Sequence, residues 1–168
     1  MNDAPPRASC SRALREGPPV HTLHPGDVRV VDRGERLETL LGSCVAIVMT
    51  DPRRTVGAMC HVVHSRPAVG ETPETAAWGE TALRTMYAGL LARGIVPALC
   101  ESWVYGGGNM FPALFVQGHV GADNAGWALR ALARDGVCVL DRDTGGDVYR
   151  KLAWTVGDGA PEVVAVRI

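Results

Sequence analysis

Two residues able to do nucleophilic chemistry, Cys44 and His61, stand at the outer ends of two short apolar runs, Val45 to Met49 and Val56 to Cys60. The polar stretch Asp51-Pro52-Arg53-Arg54 lies between the runs and predicts a turn, so the whole reads as an antiparallel hairpin. With those four residues as the loop, Thr50 faces Thr55, Ile47 faces Ala58 and Cys44 faces His61. Directly opposed side chains have Cβ atoms about 4.5–5.5 Å apart, within reach of a sulfur-to-imidazole hydrogen bond. An imidazole beside a thiol favours the nucleophilic thiolate and can later protonate a leaving group, the arrangement used for acyl transfer. Gly42 and Ser43 permit a sharp turn before the cysteine. Backbone N–H groups there are candidates to hold a developing oxyanion, and the glycine opens access for a bulky substrate.

Spacing alone leaves other readings beside this one. A cysteine in an apolar run is usually a small core residue, and a lone histidine on a strand is usually packed and hydrogen-bonded. Cys60-His61-x-x-His64 with Cys44 offers metal ligands, but adjacent residues on a strand point to opposite faces, so the expected site holds no metal and no cofactor. The hairpin alternates Cys44, Ala46, Val48, Gly57 and Met59 on one face with Val45, Ile47, Met49, Val56, Ala58 and Cys60 on the other, which should be buried. A one-residue bulge would instead turn Cys60 toward the site.

The elements that must position this hairpin follow from patterning. Residues 1–19, rich in Pro, Arg and Ser, read as a mobile tail, followed by one domain over 20–168. Val28 to Val31 alternates as a strand after the His24-Pro-Gly-Asp27 turn. Thr72-Pro73-Glu74 predicts a helix start, with Ala76, Leu83, Met86, Tyr87, Leu90 and Leu91 on one face and a stop at Arg93-Gly94. Ala98 to Tyr105 suits a strand entering Gly106-Gly-Gly-Asn109, which reads as a turn because it lacks the context of a phosphate-binding loop. Asp123 and Asn124 are candidate caps of a second helix running to Gly136. Val137 to Leu140 is a strand, 141–147 a loop, and 148–156 with 162–168 a closing hairpin. Six or seven strands, mostly hairpin-linked, and two helices predict an α+β fold with helices against one side of the sheets.

At 168 residues and 46% apolar composition, the chain can bury a core without disulfides. Its five cysteines are odd in number and lack paired CxxC spacing, pointing to a reducing, cytoplasmic setting. The first residues carry charges and prolines where a signal peptide needs an apolar core, and no segment approaches a membrane span, so no direct membrane insertion is expected. Net charge is −1 and the basic residues are dispersed, which argues against nucleic acid as a partner.

Several ordered motifs together resemble the CheD family of chemoreceptor glutamine deamidases. They are His24-Pro25-Gly26-Asp27, Leu41-Gly42-Ser43-Cys44-Val45, Gly57 to Val62, Gly107-Gly108, Gly121 with Asn124, and Asp143-Thr144-Gly145-Gly146 with Arg150-Lys151. The resemblance implies a layered α/β/β sandwich of mixed, largely antiparallel sheets. It implies Cys44 as nucleophile and His61 as acid and base in converting receptor glutamines to glutamate through a thioester. Receptor methylesterase activity occurs in the family as well. The implied partners are chemoreceptor cytoplasmic helices and, in some organisms, a CheC-type phosphatase; a non-enzymatic module regulating that phosphatase or a receptor array is the competing reading. One departure stands out: the family's supporting threonine, six positions before the cysteine, is Glu38 here. Either Thr39 takes that role through a local shift, or Glu38 orients His61 as a triad carboxylate would, or activity is reduced. Thr39 is the preferred candidate.

Overall fold

The computed structural model describes residues 17–66, 74–116, 118–157 and 159–167. Among them the chain forms nine strands and two α-helices: β1 (Val20–Thr22), β2 (Val28–Asp32), β3 (Arg36–Leu41), β4 (Val45–Thr50), β5 (Val56–Val62), α1 (Gly79–Ala92), β6 (Glu101–Gly106), α2 (Val120–Arg134), β7 (Cys138–Thr144), β8 (Val148–Thr155) and β9 (Glu162–Arg167). One sheet has the order β1-β3-β8-β9 and the other β2-β5-β4-β6-β7. Pairing is antiparallel except between β1 and β3 and between β6 and β7. The α+β class and the largely antiparallel mixed sheets match expectation. Of the tail expected over residues 1–19, residues 1–16 lie outside the described residues, as do Thr72 and Pro73. No described helix is long and apolar enough to cross a membrane.

Both faces of the β4–β5 hairpin are buried, because it is the middle layer. Val45, Ile47, Met49, Val56, Ala58, Cys60 and Val62 pack under Leu83, Met86 and Leu90 of α1 and Trp127, Ala128, Ala131 and Leu132 of α2. Ala46, Val48 and Met59 face the second sheet, against Leu37, Leu41, Leu152 and Trp154. Each large side chain so buried contributes roughly 1.5–3 kcal/mol of transfer free energy, which is what holds the three layers together.

The sheets approach closely over Gly57, where a Cβ would lie 2.3 Å from Val156 Cγ2 and 2.6 Å from the Trp154 ring. Gly57→Ala is therefore expected to destabilise the fold by about 1–3 kcal/mol through overpacking, read as a lowered denaturation midpoint at unchanged slope.

The hairpin register differs from the expected one. His61 faces Ala46, Met49 faces Ala58 and Thr50 faces Gly57. The cause is Asp51, a buried carboxylate whose Oδ1 accepts the Thr55 N–H at 2.7 Å and the Val56 N–H at 2.9 Å, while its Oδ2 takes the Thr55 hydroxyl at 3.0 Å. These bonds draw Thr55 into the loop, away from Thr50. A two-position slip preserves which face each side chain occupies, so the predicted faces hold although the predicted partners do not.

Helix starts differ as well. Glu74 and Thr75 are not helical; α1 begins at Gly79, after the chain has hydrogen-bonded the end of β5 through Val63 and His64 N–H to Ala77 O and Gly79 N–H to His64 O. Leu91, expected inward, is 57% exposed. Helix α2 is capped by His119, whose Nδ1 accepts the Ala122 N–H at 3.2 Å; Asp123 falls within the first turn and Asn124 just after it. The loop expected over 141–147 is strand as far as Thr144.

Candidate active site

Strand β3 alternates Leu37, Thr39 and Leu41 inward with Glu38 and Leu40 outward. That alternation decides which of the two neighbouring candidates meets the histidine. Thr39 is buried and its Oγ1 lies 2.8 Å from His61 Nδ1 and 2.9 Å from Leu23 O. Glu38 is half-exposed and paired with Arg36 at 2.7 Å.

The threonine bonds fix the proton arrangement. A carbonyl can only accept, so the Thr39 hydroxyl donates to Leu23 O and its oxygen is left to accept the Nδ1–H of His61. In the neutral ring, Nε2 then carries the free lone pair. It is buried and has no hydrogen-bond partner among the described residues. Burial pushes the His61 pKa down, opposed by the Leu23 carbonyl and the Asp27 charge and aided by His24. The imidazole is thus held neutral, with an unprotonated nitrogen free to take a proton.

The segment between β1 and β2 supplies this environment as it crosses from one sheet to the other. Leu23 N–H donates to Glu38 O on β3, Gly26 N–H donates to His61 O, and His61 N–H donates to Asp27 O. One short crossing therefore ties the threonine strand to the histidine strand.

Cys44 precedes β4, is half-buried, and packs against the inter-sheet cluster on the face that carries His61. It does not sit directly opposite His61. That place belongs to Ala46, two residues on, so thiol and imidazole are diagonal neighbours, with Cβ atoms up to about 7–8 Å apart. No hydrogen bond joins them. Burial raises the Cys44 pKa, and its own backbone N–H works the other way. Both groups rest uncharged. Cys60 lies on the helix side, fully buried and pushed up to about 12, so no bulge brings it to the site. Among the described residues no group of three or more His, Cys, Asp or Glu is placed to hold a metal ion.

The backbone before Cys44 is clamped at three successive carbonyls. Gly42 O accepts from Gly108 N–H at 2.8 Å, Cys44 O from Gly107 N–H at 2.8 Å, and Ser43 O from Asn124 Nδ2 at 3.1 Å. Gly106 and Gly107, which bring the Gly107 and Gly108 N–H groups to these carbonyls, run at φ of +109° and +68°, open to glycine and strained for other residues. Gly42 does not open a space, as the sequence suggested. Met110 and Tyr149 lie over it, the nearest Met110 atom 2.7 Å from where a Cβ would stand.

The loop that follows is stapled by buried Asn109, whose Nδ2 donates to Phe115 O and whose Oδ1 accepts the Phe111 N–H. It leaves Phe111, Leu114 and Val116 exposed at 64%, 75% and 89%. Asn109, Asn124 and Leu23 were not legible as site residues. Only the glycine run hinted at a close approach of backbones.

Comparison with known proteins agrees with the motifs. The family model CheD, described as chemotactic sensory transduction, matches residues 64–164. A relative from Albidiferax ferrireducens, named "Probable chemoreceptor glutamine deamidase CheD 2", is 35% identical over 141 residues, covering 82% of each chain. One from Anaeromyxobacter dehalogenans, named "Probable chemoreceptor glutamine deamidase CheD 1", is 35% identical over 138 residues, covering 82% of this chain and 80% of that one. A third, from Pseudomonas syringae pv. syringae, is 32% identical over 140 residues and covers 82% of this chain and 79% of its own.

Proposed function

The chain belongs to the CheD family, and from that premise we propose that it is a cytoplasmic protein-glutamine deamidase acting on chemoreceptors, with Cys44 as nucleophile, His61 as proton carrier and Thr39 as the group that orients it. The observation that carries the reading is the buried His61, tied through Nδ1 to Thr39 and unpartnered at Nε2, on the same sheet face as the Cys44 thiol.

In the proposed reaction Cys44 Sγ attacks the side-chain carboxamide carbon of a receptor glutamine as its proton passes to His61 Nε2, giving a tetrahedral oxyanion. The imidazolium returns that proton to the amide nitrogen, the C–N bond breaks and ammonia leaves. Neutral His61 then takes a proton from water as the hydroxide adds to the thioester carbon. The C–S bond breaks, Sγ regains a proton, and glutamate is left. Exposed Phe111, Leu114 and Val116 near the site support a macromolecular substrate, since such apolar clusters are a mark of protein contact surfaces.

The test is incubation with a chemoreceptor cytoplasmic fragment and residue mapping by mass spectrometry. Glutamine-to-glutamate conversion is expected, and its absence would sink the proposal. Thr39→Val keeps the shape of the side chain but removes the acceptor of Nδ1–H, freeing the ring to turn or change tautomer. Its kcat is expected to fall by roughly 10–100-fold, smaller than the loss seen when a triad carboxylate is replaced, because no charge stabilisation disappears with the hydroxyl. A wild-type rate in that variant would exclude Thr39 from the machinery.

A further inference from the structure

Helix α2 meets the strand ends through a fully buried amide. Asn124 Nδ2 donates to Ser43 O at 3.1 Å and to Val63 O at 2.9 Å, while its Oδ1 is buried without a partner. Two carbonyls can be met only by a donor, so the amide orientation is fixed. The bonds fall where the β4–β5 ladder stops. Val45 pairs with Val62, and the next pair in register would be Cys44 with Val63. In place of that pair, Asn124 holds Ser43 and Val63 through one nitrogen. Gly121, one turn earlier, lets α2 reach this depth: a Cβ there would stand 2.4 Å from Gly108 O and 2.5 Å from Gly107 O.

A trans peptide is planar, so fixing the carbonyl of one residue aims the N–H of the next in the opposite direction. With the Gly42 carbonyl held by Gly108 and the Ser43 carbonyl by Asn124, the Ser43 N–H is turned away from Gly108 and the Cys44 N–H away from Asn124. Neither donates to an acceptor among the described residues, and the Cys44 N–H lies close enough to Sγ to oppose the effect of burial on the thiol. Free N–H groups beside a nucleophilic sulfur, held in orientation before the substrate arrives, are the requirement for stabilising an oxyanion.

We infer that Asn124 is a positioning residue for the reaction: by fixing the Ser43–Cys44 peptide plane and holding open the end of the hairpin, it aims the Cys44 N–H at the oxyanion and keeps Cys44 out of the strand ladder. The inference rests on the deamidase reading with Cys44 as nucleophile. Of the three clamps on this segment, Gly107 and Gly108 act through main chain, so Asn124 is the one that a substitution removes directly.

The experiment compares Asn124→Ala and the near-isosteric Asn124→Asp with wild type in two reactions of Cys44. Deamidation of a receptor fragment passes through an oxyanion; alkylation by iodoacetamide displaces iodide at a saturated carbon and forms none. The expected result in both variants is a fall in kcat of about 10²-fold, with KM and the alkylation rate within about twofold of wild type. Unchanged kcat in a folded variant would overturn the inference. So would a loss of kcat matched by an equal change in alkylation and a collapse of the thermal transition, which would show Asn124 holding the fold alone. Conversion that persists in Cys44→Ala would overturn the underlying reading, and the inference with it.

Discussion

Cys44→Ala is expected to abolish the conversion of receptor glutamine, lowering kcat/KM by at least about 10⁴-fold while leaving the fold intact. The asymmetry follows from where the residue sits. Its main chain is held by Gly107 N–H on its own carbonyl and by Asn124 and Gly108 on the two carbonyls before it, none of which involves sulfur. The side chain is half-buried at the edge of the inter-sheet cluster and makes no hydrogen bond to another residue, so loss of Sγ is expected to change stability by no more than about 1 kcal/mol. Activity has no such redundancy, because no other described cysteine takes its place: exposed Cys138 pairs with Glu101, which faces Thr50 at the far end of β4 from Cys44. Cys60 is sealed on the helix side, and Cys100 is buried beneath the same helices. Deamidation followed by mass spectrometry, with thermal denaturation of the same samples, separates the two effects. A variant that still bound receptor and fully restored chemotaxis without turnover would instead favour a regulatory binding module over an enzyme.

What could be read in the sequence was the part set by local alternation. The period of two in β4 and β5 placed Cys44, Ala46, Val48 and Met59 on one face and Val45, Ile47 and Cys60 on the other, and the structure keeps both sets. The register was not legible, because it depends on Asp51 folding its carboxylate back onto the Thr55 and Val56 amides, a choice that composition does not reveal. The same contrast separates Thr39 from Glu38. Counting six positions back from the cysteine lands on Glu38, and only the preference for a threonine pointed to Thr39, which the alternation of β3 between Leu37 and Leu41 turns inward. The start of α1 failed for a tertiary reason: the residues before Gly79 were taken from the helix by bonds to the end of β5. Asn124 looked like a helix cap because asparagine near a helix start usually is one, and its partners are distant in the chain.

The pH dependence of the reaction should reveal which proton arrangement the site uses. A preformed thiolate–imidazolium pair would need a lowered Cys44 pKa and a raised His61 pKa. Here both shifts run the other way, chiefly from burial, so the resting state is thiol and neutral imidazole. With His61 Nε2 as the proposed base, kcat/KM should rise with pH through the His61 pKa. That places the midpoint of the acid limb below the ordinary imidazole value of about 6.5, and a midpoint above it would contradict the neutral-imidazole arrangement. Stability should share the sign. Between the depressed folded value and the ordinary unfolded one, the unfolded chain binds more protons, so the stability contributed by His61 is complete above about 6.5 and declines as pH falls through the folded pKa. His61→Ala should therefore flatten that decline as well as lower kcat by roughly 10³–10⁴-fold, judged by what removal of a catalytic base costs other nucleophilic enzymes. Parallel pH titrations of activity and of the denaturation midpoint, in wild type and in His61→Ala, test both consequences. If the acid limb survived in His61→Ala, another group would have to be the base.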